Sequence, residues 1–226
     1  MTAEPQAESG GRARRPVAPL LLVGGWMLLA LSWLFTTPPG AAPDEAEHYI
    51  RAVSVGRFEF LGSLTTVTPR QPQNDLQAAF VKGFNRAVTM PAGLAAPSAW
   101  FCTAANHHAS GECTRQPDSA PPSLTQPTYV GSYAPYPYVL PGLATHLGTD
   151  ARAALLWARI ADTVLSMAFL AAGLWLLWDG ESAVSVAGAA IAVTPMVIFT
   201  SAVLSSSTAE LASGFCFGRR NHPPLA

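Results

Sequence analysis

The sequence predicts an all-α integral membrane protein: three transmembrane helices, with a large extracytoplasmic loop between the first and the second. Three observations carry that prediction. Half of the 226 residues are hydrophobic and only 12% are charged, about half the charge of an average soluble protein. The missing charge is missing in blocks, because residues 16–43, 163–178 and 182–209 contain no Asp, Glu, Lys, Arg or His. A helix needs about 20 apolar residues to cross the hydrocarbon core, and the blocks supply them once Ala151 to Asp162 is joined to the second. The same numbers exclude other classes. A net charge of -1 on so apolar a chain is unlike a disordered protein. Thirteen Lys and Arg scattered among fourteen Asp and Glu leave no basic patch for nucleic acid.

Residues 1–16 form a basic tail with Arg12, Arg14 and Arg15, followed by the first span, 17–36. The positive-inside bias keeps that tail in the cytoplasm, so the chain is expected to be a multi-pass protein of the cytoplasmic (inner) membrane with its amino terminus inside. A cleaved signal peptide, cut near Gly40, Ala41 and Ala42, is the competing reading. Against it, the apolar run exceeds the 7 to 15 residues of a signal core and Pro43 would follow the cut.

Residues 37–150 form the extracytoplasmic loop and are rich in Pro, Ser, Thr and Gln. It opens with a helix over 44–55, where Asp44, Glu47, His48 and Arg51 share one face and Tyr49, Ile50 and Val53 the other, so the helix is expected to lie along the membrane surface. Its acids suit the helix dipole, and a Glu47 to Arg51 pair at i, i+4 would be worth only tenths of a kcal/mol. Cys102 and Cys113 have ten residues between them, and a disulfide there would contribute about 2 to 3 kcal/mol in an oxidising compartment. A metal reading would use His107 and His108 as well, but adjacent histidines point apart. Cys216 has no evident partner. The aromatic run from Tyr129 to Tyr138, Tyr136 included, is either a surface on which a ligand stacks or an interfacial belt.

The second span, 151–178, carries Arg152, Arg159 and Asp162 in its first half. Arg159 lies roughly 10 Å further along the helix than Arg152, and an arginine in lipid needs a partner. Asp162 and a lipid phosphate are the two candidates. After a tight turn at Asp179, Gly180 and Glu181 comes the third span, 183–204, kinked at Pro195. Its small residues Gly188, Ala189, Ala190 and Ala192 allow other transmembrane helices to approach closely. Residues 205–226 are expected to be an extracytoplasmic tail.

Four features recur in a set order: Asp44-Glu45-Ala46-Glu47-His48-Tyr49 with Arg51-Ala52, the run Tyr133 to Pro141, Ala158-Arg159, and Thr194-Pro195-Met196. Together, over about Trp33 to Gly214, they resemble the bacterial membrane-protein family catalogued as domain of unknown function 2142. A first span followed at once by Asp-Glu-x-x-His-Tyr is also similar, more distantly, to the first outer loop of C-fold glycosyltransferases, which use polyprenyl-phosphate-linked sugars. The resemblance implies cell-envelope glycan synthesis from a polyprenyl-phosphate sugar and a glycan acceptor at the lipid bilayer. It makes Asp44 and Glu45 the catalytic acids, with Asp44 as the base that takes the acceptor proton. It makes Asp44, Glu45 and His48 the ligands of a divalent cation, Mg or Mn, and His48, Arg51, Arg159, Tyr136 and Glu210 the substrate-binding residues. Near Glu210, Ser205 to Ser207 stand where the family carries Asn, which weakens a binding role there.

Members of these families have more than three spans, whereas after Gly214 this sequence turns polar, with Arg219 and Arg220. The expectation is a truncated member, frame-shifted from about residue 215 and inactive alone. The alternative is a non-catalytic small membrane protein that binds or assembles with another membrane protein. No Walker motif, nucleotide-binding glycine loop, Ser-His-Asp order or CxxC pair is present, so ATPases, dehydrogenases, hydrolases and thiol oxidoreductases have no support. No internal repeat points to a two-halved transporter.

Overall fold

The computed structural model describes residues 17–68, 72–105, 108–118, 121–178 and 183–217. The expected basic tail, His107, the turn at Asp179 to Glu181, and Arg219 and Arg220 lie outside them. Among the described residues two helices are long and apolar enough to cross a membrane, α1 (Val17–Thr36) and α6 (Ala151–Leu177). Asp150 starts α6 by accepting hydrogen bonds from the amides of Arg152 and Ala153 at 2.9 and 3.0 Å, which satisfies two of the donors a helix end leaves open.

Between α1 and α6 the chain builds a head. Its centre is α2 (Glu45–Gly56), and around it lie α3 (Asp75–Phe84), the short α4 (Cys102–Ala105) and α5 (Val139–Ala144). The head also holds a three-stranded antiparallel sheet, β1 (Ser63–Leu64), β2 (Arg86–Thr89) and β3 (Thr125–Thr128), paired Ser63 with Ala87 and Arg86 with Thr128. The described residues are mostly helical, as expected, and this small sheet is the departure from an all-α fold. These strands are two to four residues long and β3 contains Pro127, so no period-2 pattern announces them.

All twelve residues of α2 are buried, which corrects the expectation of a helix lying on the membrane surface. The apolar face of Tyr49, Ile50 and Val53 packs with Val88, Met90, Trp100, Tyr138 and Leu204. The opposite face is roofed by β3 and the segment after it, and Thr128 Oγ1 donates to the Glu47 carbonyl at 3.1 Å. The amphipathic pattern therefore serves two internal interfaces. Where α2 ends against α5, the backbones touch: a Cβ on Gly56 would lie 2.1 Å from the Gly142 carbonyl oxygen. Cys102 and Cys113 are joined by a disulfide with a Cα separation of 6.2 Å.

The helix α6 belongs to two cores. Ala151, Ala154, Leu155 and Ala158 pack into the head, whereas Met167, Leu170 and Leu174 pack with Trp26, Ala30 and Leu34 of α1. The third expected span is not one helix. It is α7 (Ala183–Ala192), a break, and α8 (Pro195–Thr200). Pro195 has no amide hydrogen and holds Thr194 extended, so Thr194 caps a new helix, its Oγ1 accepting from the Val197 amide at 3.4 Å. Ser206–Phe217, expected in the tail, is a further helix, α9. It packs along α6, and its Ala212 joins the cluster of Met167 and Leu170.

Candidate functional site

The loop from Pro38 to Asp44 leads from α1 into α2 through two residues of positive φ, Gly40 at 73° and Asp44 at 55°. An αL conformation costs a non-glycine residue free energy, and Asp is among the few that tolerate it. Past this turn Asp44 is exposed and Glu45 is buried.

Glu45 is fully buried. Its Oε1 accepts from Arg159 Nε at 2.6 Å and the Leu204 amide at 3.2 Å, and its Oε2 accepts from Arg159 Nη2 at 2.6 Å and the Gly40 amide at 2.9 Å. Four bonds fill the acceptor capacity of a carboxylate, and the two from Arg159 form the bidentate fork that such pairs favour. Arg159 also donates to the carbonyls of Leu34 at 3.3 Å, Thr37 at 2.8 Å and Pro38 at 3.1 Å. It therefore sits level with the end of α1, not deep in a span, and its partner is Glu45, not Asp162. That corrects the expected Arg159 to Asp162 pair, and it leaves Glu45 no lone pair with which to act as base or cation ligand. Asp162 instead accepts from the Ser205 amide at 3.5 Å.

Asp44 is exposed at the head of α2. Its carboxylate takes a hydrogen bond from the Tyr129 hydroxyl, whose pKa is pushed up by burial and by that bond, so the phenol stays a neutral donor. His48, one turn on, is buried, and its Nδ1 lies 2.6 Å from the Tyr138 hydroxyl with the two rings stacked at 5.8 Å. Burial lowers the His48 pKa to about 4 against the opposing field of Asp44, so near neutral pH the imidazole is uncharged. Arg51 donates to the carbonyls of Phe60 at 2.8 Å and Tyr133 at 2.6 Å. Both arginines expected to bind substrate are thus engaged with the protein's own oxygens.

A cavity of about 410 Å³ opens beside Asp44, lined by residues 40–47 with Trp100, Phe101 and Thr103. No Lys or Arg contributes to its lining, while Asp44, Glu45 and Glu47 do. The far wall was not singled out from sequence. The only signal for it was the disulfide, since Cys102 follows Phe101 directly. Tyr136 and Glu210 are exposed elsewhere, on the approach to α5 and on α9. Among the described residues no three His, Cys, Asp and Glu side chains are grouped to hold a metal ion. With Glu45 on Arg159 and His48 on Tyr138, the expected cation set of Asp44, Glu45 and His48 is not assembled.

A family model described as "Predicted membrane protein (DUF2142)" matches residues 27–218. No curated protein and no solved structure matches the chain.

Proposed function

The chain belongs to the DUF2142 family of predicted membrane proteins, and on that premise we propose that it supplies the general base, Asp44, of an enzyme that transfers a sugar from a polyprenyl-phosphate carrier to a glycan acceptor. In this reading the amino terminus is cytoplasmic and the head lies on the outer face of the inner membrane. The observation that carries the proposal is the contrast between neighbours beside the 410 Å³ cavity that both line: Glu45 is buried and saturated, whereas Asp44 is exposed.

The reaction asks little else of the residues described. The acceptor oxygen attacks the anomeric carbon, its proton passes to the Asp44 carboxylate, and the bond from that carbon to the phosphate oxygen breaks with its electron pair leaving on the polyprenyl phosphate. A carboxylate is a weak base, so its contribution depends on being placed at the hydroxyl rather than on a high pKa. Tyr129 holds the Asp44 carboxylate through its hydroxyl. His48 stays neutral and so adds no cation to compete for it. Because Arg51 and Arg159 are engaged, the phosphate of the carrier is to be held by other groups.

The test replaces the chromosomal copy with Asp44→Asn and measures the cell-envelope glycans by mass spectrometry beside the amount of protein in the membrane. Loss of one sugar from a glycan, with accumulation of its lipid-linked donor and unchanged protein, is the expected result. An unchanged glycan profile would remove the enzymatic reading in favour of a binding or assembly partner.

A further inference from the structure

The helix α3 has no buried residue, yet Leu76, Phe80 and Phe84 fall at i, i+4 and i+8 on one face. The face is not isolated. Phe84 and Phe80 stack at 4.7 Å, Phe80 meets Tyr129 at 5.9 Å, Tyr129 meets Tyr133 at 6.4 Å, and Tyr133 meets His48 at 6.4 Å. Phe84, Phe80 and Tyr133 are 46%, 44% and 40% exposed. The row of rings thus runs from the tip of α3 to Tyr129, whose hydroxyl is hydrogen-bonded to Asp44.

We propose that this aromatic row is a saccharide-binding platform, on which the acceptor glycan lies with one hydroxyl delivered to Asp44. The inference rests on the reading of Asp44 as the base, because an acceptor must extend from the reacting hydroxyl over a surface continuous with it. The row is such a surface, reached through Tyr129. Its chemistry favours sugar rings over an alkyl chain. A pyranose presents a flat face of polarised C–H bonds to the electron-rich face of an aromatic ring and hydroxyls to phenols such as Tyr129 and Tyr133. An alkyl chain gains most in an enclosed groove that removes it from water, and these rings stand half exposed.

The experiment uses the whole chain in lipid nanodiscs, with chitohexaose, cellohexaose and maltohexaose as probes and farnesyl phosphate as the alkyl control, read by saturation-transfer NMR and titration. At least one oligosaccharide is expected to bind. Phe80→Leu should weaken it about fivefold and Phe80→Leu with Phe84→Leu about tenfold or more, since leucine keeps the apolar area and removes the stacking face. The substituted side chains are not part of a core, so thermal melting should not move. Farnesyl phosphate binding should be indifferent to both changes. Absence of binding by all three oligosaccharides, or binding that the leucine variants leave intact, overturns the platform. The two readings fail separately: transfer that depends on Asp44 without oligosaccharide binding sinks only the platform, and binding without any transfer sinks only the role of Asp44.

Discussion

At the scale of single residues, the decisive contrast is between Asp44 and Glu45, adjacent in sequence and opposite in circumstance. The resemblance favours Asp44 as the base but makes both acids catalytic, because what sets Glu45 apart is Arg159, 114 residues away. A local reading of α6 offered Asp162 as the nearer partner, and only the packing of α6 against the end of α1 replaces it. Breaking one side of a buried pair leaves an uncompensated charge, which costs about 3 to 5 kcal/mol. Glu45→Gln should therefore lower the stability of the head by about that amount in denaturant titration, while Asp44→Asn changes it by less than about 1 kcal/mol. His48 gives a prediction on pH. Its pKa falls from 6.5 to about 4 on folding, so between those values the unfolded chain binds more protons and stability falls as pH falls. The contribution is complete above pH 6.5 and is lost progressively toward pH 4. Thermal melts of His48→Gln against the parent should differ in slope across that window, and equal slopes would refute the burial of a neutral imidazole.

At the scale of elements, the boundaries of α1, α2 and α6 were legible because each is a matter of local pattern: apolar runs, and the acids after Pro43. What covers α2 was not legible, since an amphipathic helix between two internal interfaces has the same periodicity as one on a membrane. The contact that fixes it is glycine on glycine. A Cβ on Gly142 would lie 2.4 Å from the Ala52 carbonyl oxygen, and backbone cannot yield as a side chain does. Gly142→Ala should cost about 1 to 3 kcal/mol or more, whereas Gly188→Ala, inside α7 with nothing within 4 Å, should raise stability by up to about 1 kcal/mol in the same melts. The break at Thr194 and Pro195 was legible as a kink, but its full consequence was not. The turn after α8 is fixed by Glu45 and Asp162 accepting the amides of Leu204 and Ser205, contacts that no spacing encodes. Reduction of the Cys102 to Cys113 bridge should cost about 2 to 3 kcal/mol and loosen the Trp100 to Thr103 wall of the cavity.

At the scale of the molecule, α6 joins the head to the helices below it, and the Glu45 to Arg159 pair marks the level at which one becomes the other. Composition announced a membrane protein. It did not show that the first turns of the second apolar helix belong to the head, because Ala and Leu suit either core. The division is testable by cysteine labelling in opened vesicles, with Cys216→Ser as background. Leu156→Cys, 37% exposed on the head side, should react with a membrane-impermeant maleimide, and Val164→Cys, 56% exposed in the protein itself, should not, because lipid covers it. Equal labelling would contradict the straddling of α6.

The central claim is that two neighbouring carboxylates divide the work, Glu45 holding the end of α1, α6 and the turn after α8 together while Asp44 reacts. The most direct measurement compares Asp44→Asn and Glu45→Gln in one strain for the amount of protein in the membrane and for the envelope glycan. We predict full protein and no transfer for Asp44→Asn, and depleted protein for Glu45→Gln. Transfer surviving in Asp44→Asn, or equal depletion of both variants, would contradict the division.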